Sequence, residues 1–186
     1  MNEMDKRLEC TFDQNLREFP CDPALFRECV NELQELLESS SDPQKQVSLL
    51  GEIGVHYRIL NNLQDAENSI LKALKIIENY KLGIKLEIQQ KIRLAHVIQW
   101  KKNFEKSDKM YLEIIATCRS NIEAAMYLDF ALQHAGKNFF DQNRFVEALN
   151  VFNEALGLRL QRQASKEQIE STALAIKRTT QIINEQ

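Results

Sequence analysis

Three prolines and five glycines in 186 residues leave too few turn and breaker residues for a many-stranded β architecture, a collagen-like chain or a low-complexity linker. The four cysteines, Cys10, Cys21, Cys29 and Cys118, contain no CxxC pair and no closely spaced histidine partner. Spacings of 11 and 8 residues among the first three fit no zinc framework. Free, buried thiols in a reducing compartment are therefore expected. No apolar run approaches the roughly 18 residues that a membrane helix needs. The opening Met1-Asn2-Glu3-Met4-Asp5 lacks the basic and apolar regions of a signal peptide, so a cytoplasmic location is expected. Charge of one sign is also scarce: the net charge is −3 and the pI about 5.7, which removes any global drive toward nucleic acid or an anionic membrane.

What is present is helical punctuation and helical spacing. Asp22-Pro23 and Asp42-Pro43 each put a capping carboxylate before a proline at the first helical position. Ser120-x-x-Glu123 and Ser165-x-x-Gln168 fit the capping box. Phe26, Val30, Leu33 and Leu37, like Ile70, Leu74 and Ile77, recur at the period of one helix face. No strand-like alternation stands out. The expectation is an all-α chain of about nine helices joined by short connections. Charge falls unevenly along it: residues 1–45 hold 11 acids and 5 bases, residues 46–128 hold 9 and 12, and residues 129–186 hold 7 of each. Most of these are the solvated faces of helices, although the acidic first segment could serve the slightly basic middle intramolecularly.

A repeat organises the chain. Gly54, Ala95 and Gly136 stand 41 residues apart, as do Tyr57, Ile98 and Phe139. The same step links Leu63, Phe104 and Phe145, then Ala66, Ser107 and Ala148, then Ile70, Tyr111 and Phe152. Small columns belong where two helices approach closely and large columns where pairs of helices pack. The motif Leu50-x2-Ile53-Gly54-x2-Tyr57 followed by Ala66-x3-Ile70-x2-Ala73 resembles the tetratricopeptide repeat (TPR) signature, and Leu132 to Ala155 matches it equally well. The second copy departs from it, with Lys91, Ala95 and Ile114 at the first bulky, the glycine and the last small positions, so a looser helix crossing is expected there. The period of 41 in place of 34 is similar to the long repeats of kinesin light chains and of bacterial peptide-responsive regulators.

The resemblance covers residues 47–160 and implies a right-handed α-solenoid with terminal capping helices. Residues 1–46 are expected to be a degenerate N-terminal helical hairpin, with two helices within 2–39. Three repeats follow at 47–87, 88–128 and 129–160, and residues 161–186 are expected to form a C-terminal capping helix that covers the last apolar face.

Signatures of catalysis are missing: there is no GxSxG, P-loop, GxGxxG or HExxH, so neither an enzyme nor a cofactor is expected. His56, His96 and His134 fall one per repeat but at different repeat positions. Helices packed about 10 Å apart could not bring them to one ion. The family resemblance puts the first helix of each pair on the concave face, and carries over Arg58, Arg93, His96, Gln99 and Trp100, with Gln133, His134, Lys137 and Phe140, as the lining of a peptide groove. This set is basic and aromatic, of the residue types that anchor interfaces. The competing reading packs Trp100 and Phe140 against neighbouring helices and leaves the arginines as ordinary solvated charges. The family's carboxylate clamp is not expected, because its positions read Gly51, Val55, Ile92 and His96. A non-catalytic module binding a protein segment with acidic and apolar side chains is the leading expectation. The rivals are a peptide sensor and a secretion-type chaperone; nucleic acid and membrane are not expected partners, and a homodimer is left open.

Overall fold

The computed structural model describes residues 8–185. Among them are eight α-helices, one short 3-10 turn and one two-stranded β-hairpin. The chain divides into two compact units, residues 1–102 and 103–186, with the division in the turn of the second repeat. No described helix is long and apolar enough to cross a membrane.

Unit 1 begins with strands β1 (Cys10–Phe12) and β2 (Glu18–Pro20), paired antiparallel in the register Cys10↔Pro20, Thr11↔Phe19 and Phe12↔Glu18. A helix is the expectation for this stretch, and the described residues correct it; residues 2–7 of the expected hairpin lie outside the described residues. The physical reason lies in the turn. The Asp13 carboxylate accepts hydrogen bonds from the amides of Asn15 and Arg17, both at 2.8 Å, and Pro20 offers no amide for a helical bond. Four helices follow: α1 (Pro23–Glu38), α2 (Pro43–Ile59), α3 (Leu63–Tyr80) and α4 (Ile84–Trp100). Both Asp-Pro signals cap as expected, Asp22 accepting from the amides of Ala24 and Leu25 and Asp42 from that of Gln44. Helix α1 packs on α2, α2 on α3, α3 on α4, and α2 also on α4. Two apolar clusters hold them, one of Val30, Leu33, Leu49 and Ile53, the other of Val47, Leu50, Ala73 and Ile77.

Unit 2 contains α5 (Phe104–Ser120), a 3-10 turn (Ala125–Tyr127), α6 (Leu128–Asp141), α7 (Phe145–Gln161) and α8 (Lys166–Glu185). Ser120 is not a cap. It closes α5, its hydroxyl donating back to the carbonyl of Ala116, while Asn121 takes the capping role for the amides of Glu123 and Ala124. Ser165 does precede α8, accepting from the Gln168 amide. Asp108 on α5 receives Gln142 and Arg144, which lie at and beyond the end of α6. Asp129 on α6 receives Arg159 of α7 and Arg162, and Arg159 in turn reaches the Gln168 carbonyl and the Thr172 hydroxyl of α8.

The repeat columns of Ala66 and of Ile70 are buried throughout, while Tyr57, Phe139, Leu63 and Phe104 of two other columns are half-buried. Ala66, Ile70, Ala148, Phe152 and Ser107 are fully buried, and Tyr111 nearly so. The glycine column meets the large column directly. A Cβ on Gly54 would lie 2.6 Å from an Ile70 carbon, and one on Gly136 would lie 2.4–2.8 Å from the Phe152 ring. A further column emerges at the turns, where Asn61, Lys102 and Asn143, again 41 residues apart, all take left-handed backbone with φ of 60–61°. Asparagine occupies two of those three positions, consistent with its tolerance of that conformation.

Candidate functional site

Arg58 lies near the end of α2, and Arg93, His96, Gln99 and Trp100 lie on α4. Unit 1 brings three of these five together. The Arg58 guanidinium stacks over the Trp100 indole at 4.8 Å, and the Trp100 Nε1–H donates to His96 Nε2 at 3.2 Å, the two rings meeting edge to face. His96 Nε2 is thus the acceptor that the indole N–H finds within the same helix. Arg93 sits about two turns away along the same pair of helices. Its guanidinium donates to Gln90 and occupies the space where a Cβ on Gly51 would stand, 1.9 Å from that position. Glycine at 51, read in the sequence only as a missing clamp residue, thus has a steric reason: it lets the side chains of α4 lie on the backbone of α2.

The face is not bare. Strand β2 places Glu18 against Arg58, the carboxylate accepting from Nη1 at 2.6 Å, and Arg17 lies over the Trp100 indole at 5.3 Å. Trp100 therefore has two guanidinium contacts, one from the hairpin and one from α2. Leu16, at the turn before β2, is buried although it sits at a hairpin tip, and it holds a φ of +62°. A leucine in that region costs about 1 kcal/mol, so burial of its side chain offsets the strain. The sequence reading missed the hairpin contacts. The signal was there in Asp13 and Asn15 as turn formers ahead of Pro20.

Unit 2 holds the other four residues on α6. Phe140 packs edge to face on Phe145 with centroids 5.3 Å apart, the packing role weighed for it in the sequence. Lys137 is buried, and His134 half-buried. Gln133 is 3 % exposed, and neither its Nε2 nor its Oε1 has a hydrogen-bond partner. A buried amide that offers a donor and an acceptor together matches what a peptide group needs.

No disulfide joins any of the four cysteines. Cys29 and Cys118 are buried as expected, but Cys10 is half-buried and Cys21 exposed, so burial accounts for two of the four. The Cys10 thiol is pushed up to about 11, chiefly by burial and next by the Glu18 carboxylate, with Arg58 acting in the opposite sense. Among the described residues, no three histidine, cysteine or acidic side chains are grouped so as to hold a metal ion.

No family model matches the chain, and no curated protein matches it. Solved structures do. BtubC (BKLC) from P. vanneervenii superposes with a TM-score of 0.59 at 17% identity over 87% of this chain and 65% of its own. A kinesin-light-chain protein of Podosopora anserina with nearly identical TPR-like repeats gives 0.59 at 10% identity, covering 88% and 81%. PlcR of Bacillus thuringiensis, in complex with the peptide PapR7 and DNA, gives 0.62 at 16% identity, covering 88% and 66%. The chain thus spans just under two thirds of the length of BtubC and of PlcR. At these identities the likeness defines the fold: an all-α, TPR-like helical-repeat solenoid.

Proposed function

We propose that the chain is a non-catalytic interaction module whose first-helix faces bind an extended protein segment carrying acidic and apolar side chains. One observation carries this reading. The chain's own strand β2 lies against the α2/α4 face with its carboxylate on Arg58 and its neighbour Arg17 on Trp100. A face that takes one extended segment in this way has the chemistry to take another. Arg58, Arg93, His96 and Trp100 are the contributing residues of the face in unit 1, and Gln133 and Lys137 those of a separate face in unit 2. Gln99 and His134 flank them, and Phe140 shapes the α6 face from within the packing. PlcR, a fold neighbour, is a peptide binder by its own description, which supports a peptide as the ligand class and keeps a peptide-responsive regulator as the second reading.

The test is to pan a display library of random 12-residue peptides on the full chain. Enriched peptides are expected to carry one or two acids among apolar residues. Peptides bound at unit 1 should lose tenfold or more in affinity, about 1.4 kcal/mol, on Arg93→Glu chains, and peptides bound at unit 2 as much on Lys137→Glu chains, with helicity unchanged. Absence of enrichment, or enrichment indifferent to both charge reversals, would overturn the reading.

A further inference from the structure

The hairpin that covers the α2/α4 face belongs to no repeat. Its strands are three residues long, and a two-stranded hairpin of that size has little stability of its own in water. Phe12 and Phe19 are each left nearly half exposed on it, so its own aromatic side chains are only partly buried. Helix α1 does not need it as a start, because Asp22 caps that helix by itself. Among the contacts that hold the hairpin are the Glu18 carboxylate on Arg58, the Arg17 guanidinium on Trp100, and the buried Leu16. The two partners on the helices, Arg58 and Trp100, are residues whose type and repeat position mark them for ligand binding.

We propose that residues 10–20 are an internal ligand: the hairpin occupies the α2/α4 face of unit 1, and a partner segment binds there by displacing it. This rests on the reading of that face as a binding surface and adds its regulation and its selectivity. The competing segment presents one carboxylate to Arg58 and, beside it, a side chain able to lie on the Trp100 indole. Tethering gives the hairpin an effective concentration in the millimolar range, so it screens out weak ligands without any exceptional contact of its own. The affinity measured for an outside segment is reduced by the fraction of molecules in which the hairpin is docked.

The experiment uses the full chain and a fluorescently labelled synthetic peptide of residues 8–22, followed by anisotropy. The Glu18→Lys chain, whose own hairpin meets Arg58 with a like charge, is expected to bind the peptide at least tenfold more tightly than the wild type. A peptide carrying the same Glu18→Lys change should not bind. Alkylation of Cys10, read by mass spectrometry at pH 8, should be at least tenfold faster in the Glu18→Lys chain, because undocking removes the burial, and the substitution the Glu18 charge, that together suppress its thiolate. The Glu18→Gln chain, which removes the charge alone, sets the baseline. Should Glu18→Lys fail to fold, Glu18→Gln replaces it in the peptide titration, with an expected gain of about threefold.

Equal peptide binding and equal Cys10 alkylation in wild type and variant would overturn the proposal and make the hairpin a fixed part of unit 1. Library peptides that bind wild type while leaving Cys10 alkylation and Trp100 emission unchanged would overturn displacement and leave the binding function standing. Binding of the hairpin peptide alone, with no library peptide enriched, would support the internal contact and remove the function proposed above.

Discussion

Each unit buries an arginine against a carboxylate, and the two pairs are built differently. In unit 2, Arg159 lies between α6, α7 and α8, with Asp129, the Gln168 carbonyl and the Thr172 hydroxyl sharing its donors; both charged side chains are below 5 % exposed. Every partner belongs to a helix of the stacked array. In unit 1, Arg58 pairs with the carboxylate of Glu18, which is 19 % exposed and comes from outside the repeats. The remaining face of Arg58 rests on Trp100. The first pair is part of what holds three helices in register. The second closes a surface with a segment that could leave it. On the displacement proposed above, the contrast separates a structural ion pair from an occupied site by who supplies the acid and how completely the arginine is satisfied.

Removing each acid should break the comparison open. Asp129→Ala strands Arg159 inside unit 2, and a loss of about 3–5 kcal/mol is expected in urea unfolding followed by far-ultraviolet circular dichroism. A loss under 1 kcal/mol would mean that the Gln168 and Thr172 contacts suffice. Next in size is Gly136→Ala, also in unit 2. The added methyl would stand 2.4–2.8 Å from the fully buried Phe152 ring, and the resulting overpacking outweighs the helix gain for a net cost of about 1–2 kcal/mol.

Unit 1 should respond more gently. Glu18→Ala is expected to cost about 1 kcal/mol, because the pair is partly solvated and Arg58 keeps its contact with the indole. Trp100 is the sole tryptophan, so its emission should shift in this variant and stay fixed in Asp129→Ala. An unchanged spectrum in Glu18→Ala would argue that the hairpin stays docked without its carboxylate. A smaller effect comes from pH. The Cys10 thiol is raised from its ordinary value of 9.0 to about 11, so burial favours its neutral form. That contribution is full below pH 9 and is lost as pH rises toward 11. Alkaline titration should therefore loosen the hairpin in that window, seen as a Trp100 emission change that is reduced in Cys10→Ser. Equal titrations of the two chains would remove Cys10 from the account.

Much of the array was legible because its signals are local and repeated. Gly54 with Ile70 and Gly136 with Phe152 share one spacing, and two Asp-Pro caps mark helix starts, so each copy supports the reading of the others. The hairpin was hidden for the opposite reason. It occurs once, its strands are three residues long, and its place is set by contacts 40 residues or more away, between Glu18 and Arg58 and between Arg17 and Trp100. Among the candidate residues, Arg58 lies on α2 and Arg93, His96 and Trp100 on α4, the helices that position in the repeat assigns to them. That position could not say that Arg93 turns onto Gly51, that Phe140 packs on Phe145, or that Gln133 is buried with its amide unpaired. Those depend on which rotamer the neighbouring helix leaves open.

The smallest predicted effect tests whether this steric reading discriminates between identical residues. Gly157 lies inside α7, exposed, and a Cβ there would meet nothing within 4 Å. Gly157→Ala adds no clash, lowers the entropy of the unfolded chain and improves helix propensity, so a gain of about 0.5–1 kcal/mol is expected. Gly136→Ala, the same change on α6 of the same unit, carries the opposite sign because Phe152 fills the space. Measured together by urea unfolding, the pair should differ by about 2 kcal/mol. If both substitutions stabilise, the glycine column of the repeat is not set by close helix approach, and the packing argument for Gly54 against Ile70 falls with it. If they differ in sign, the column marks where helices of one unit meet most closely, and Gly157 is left as a position where the fold tolerates a side chain that it does not have.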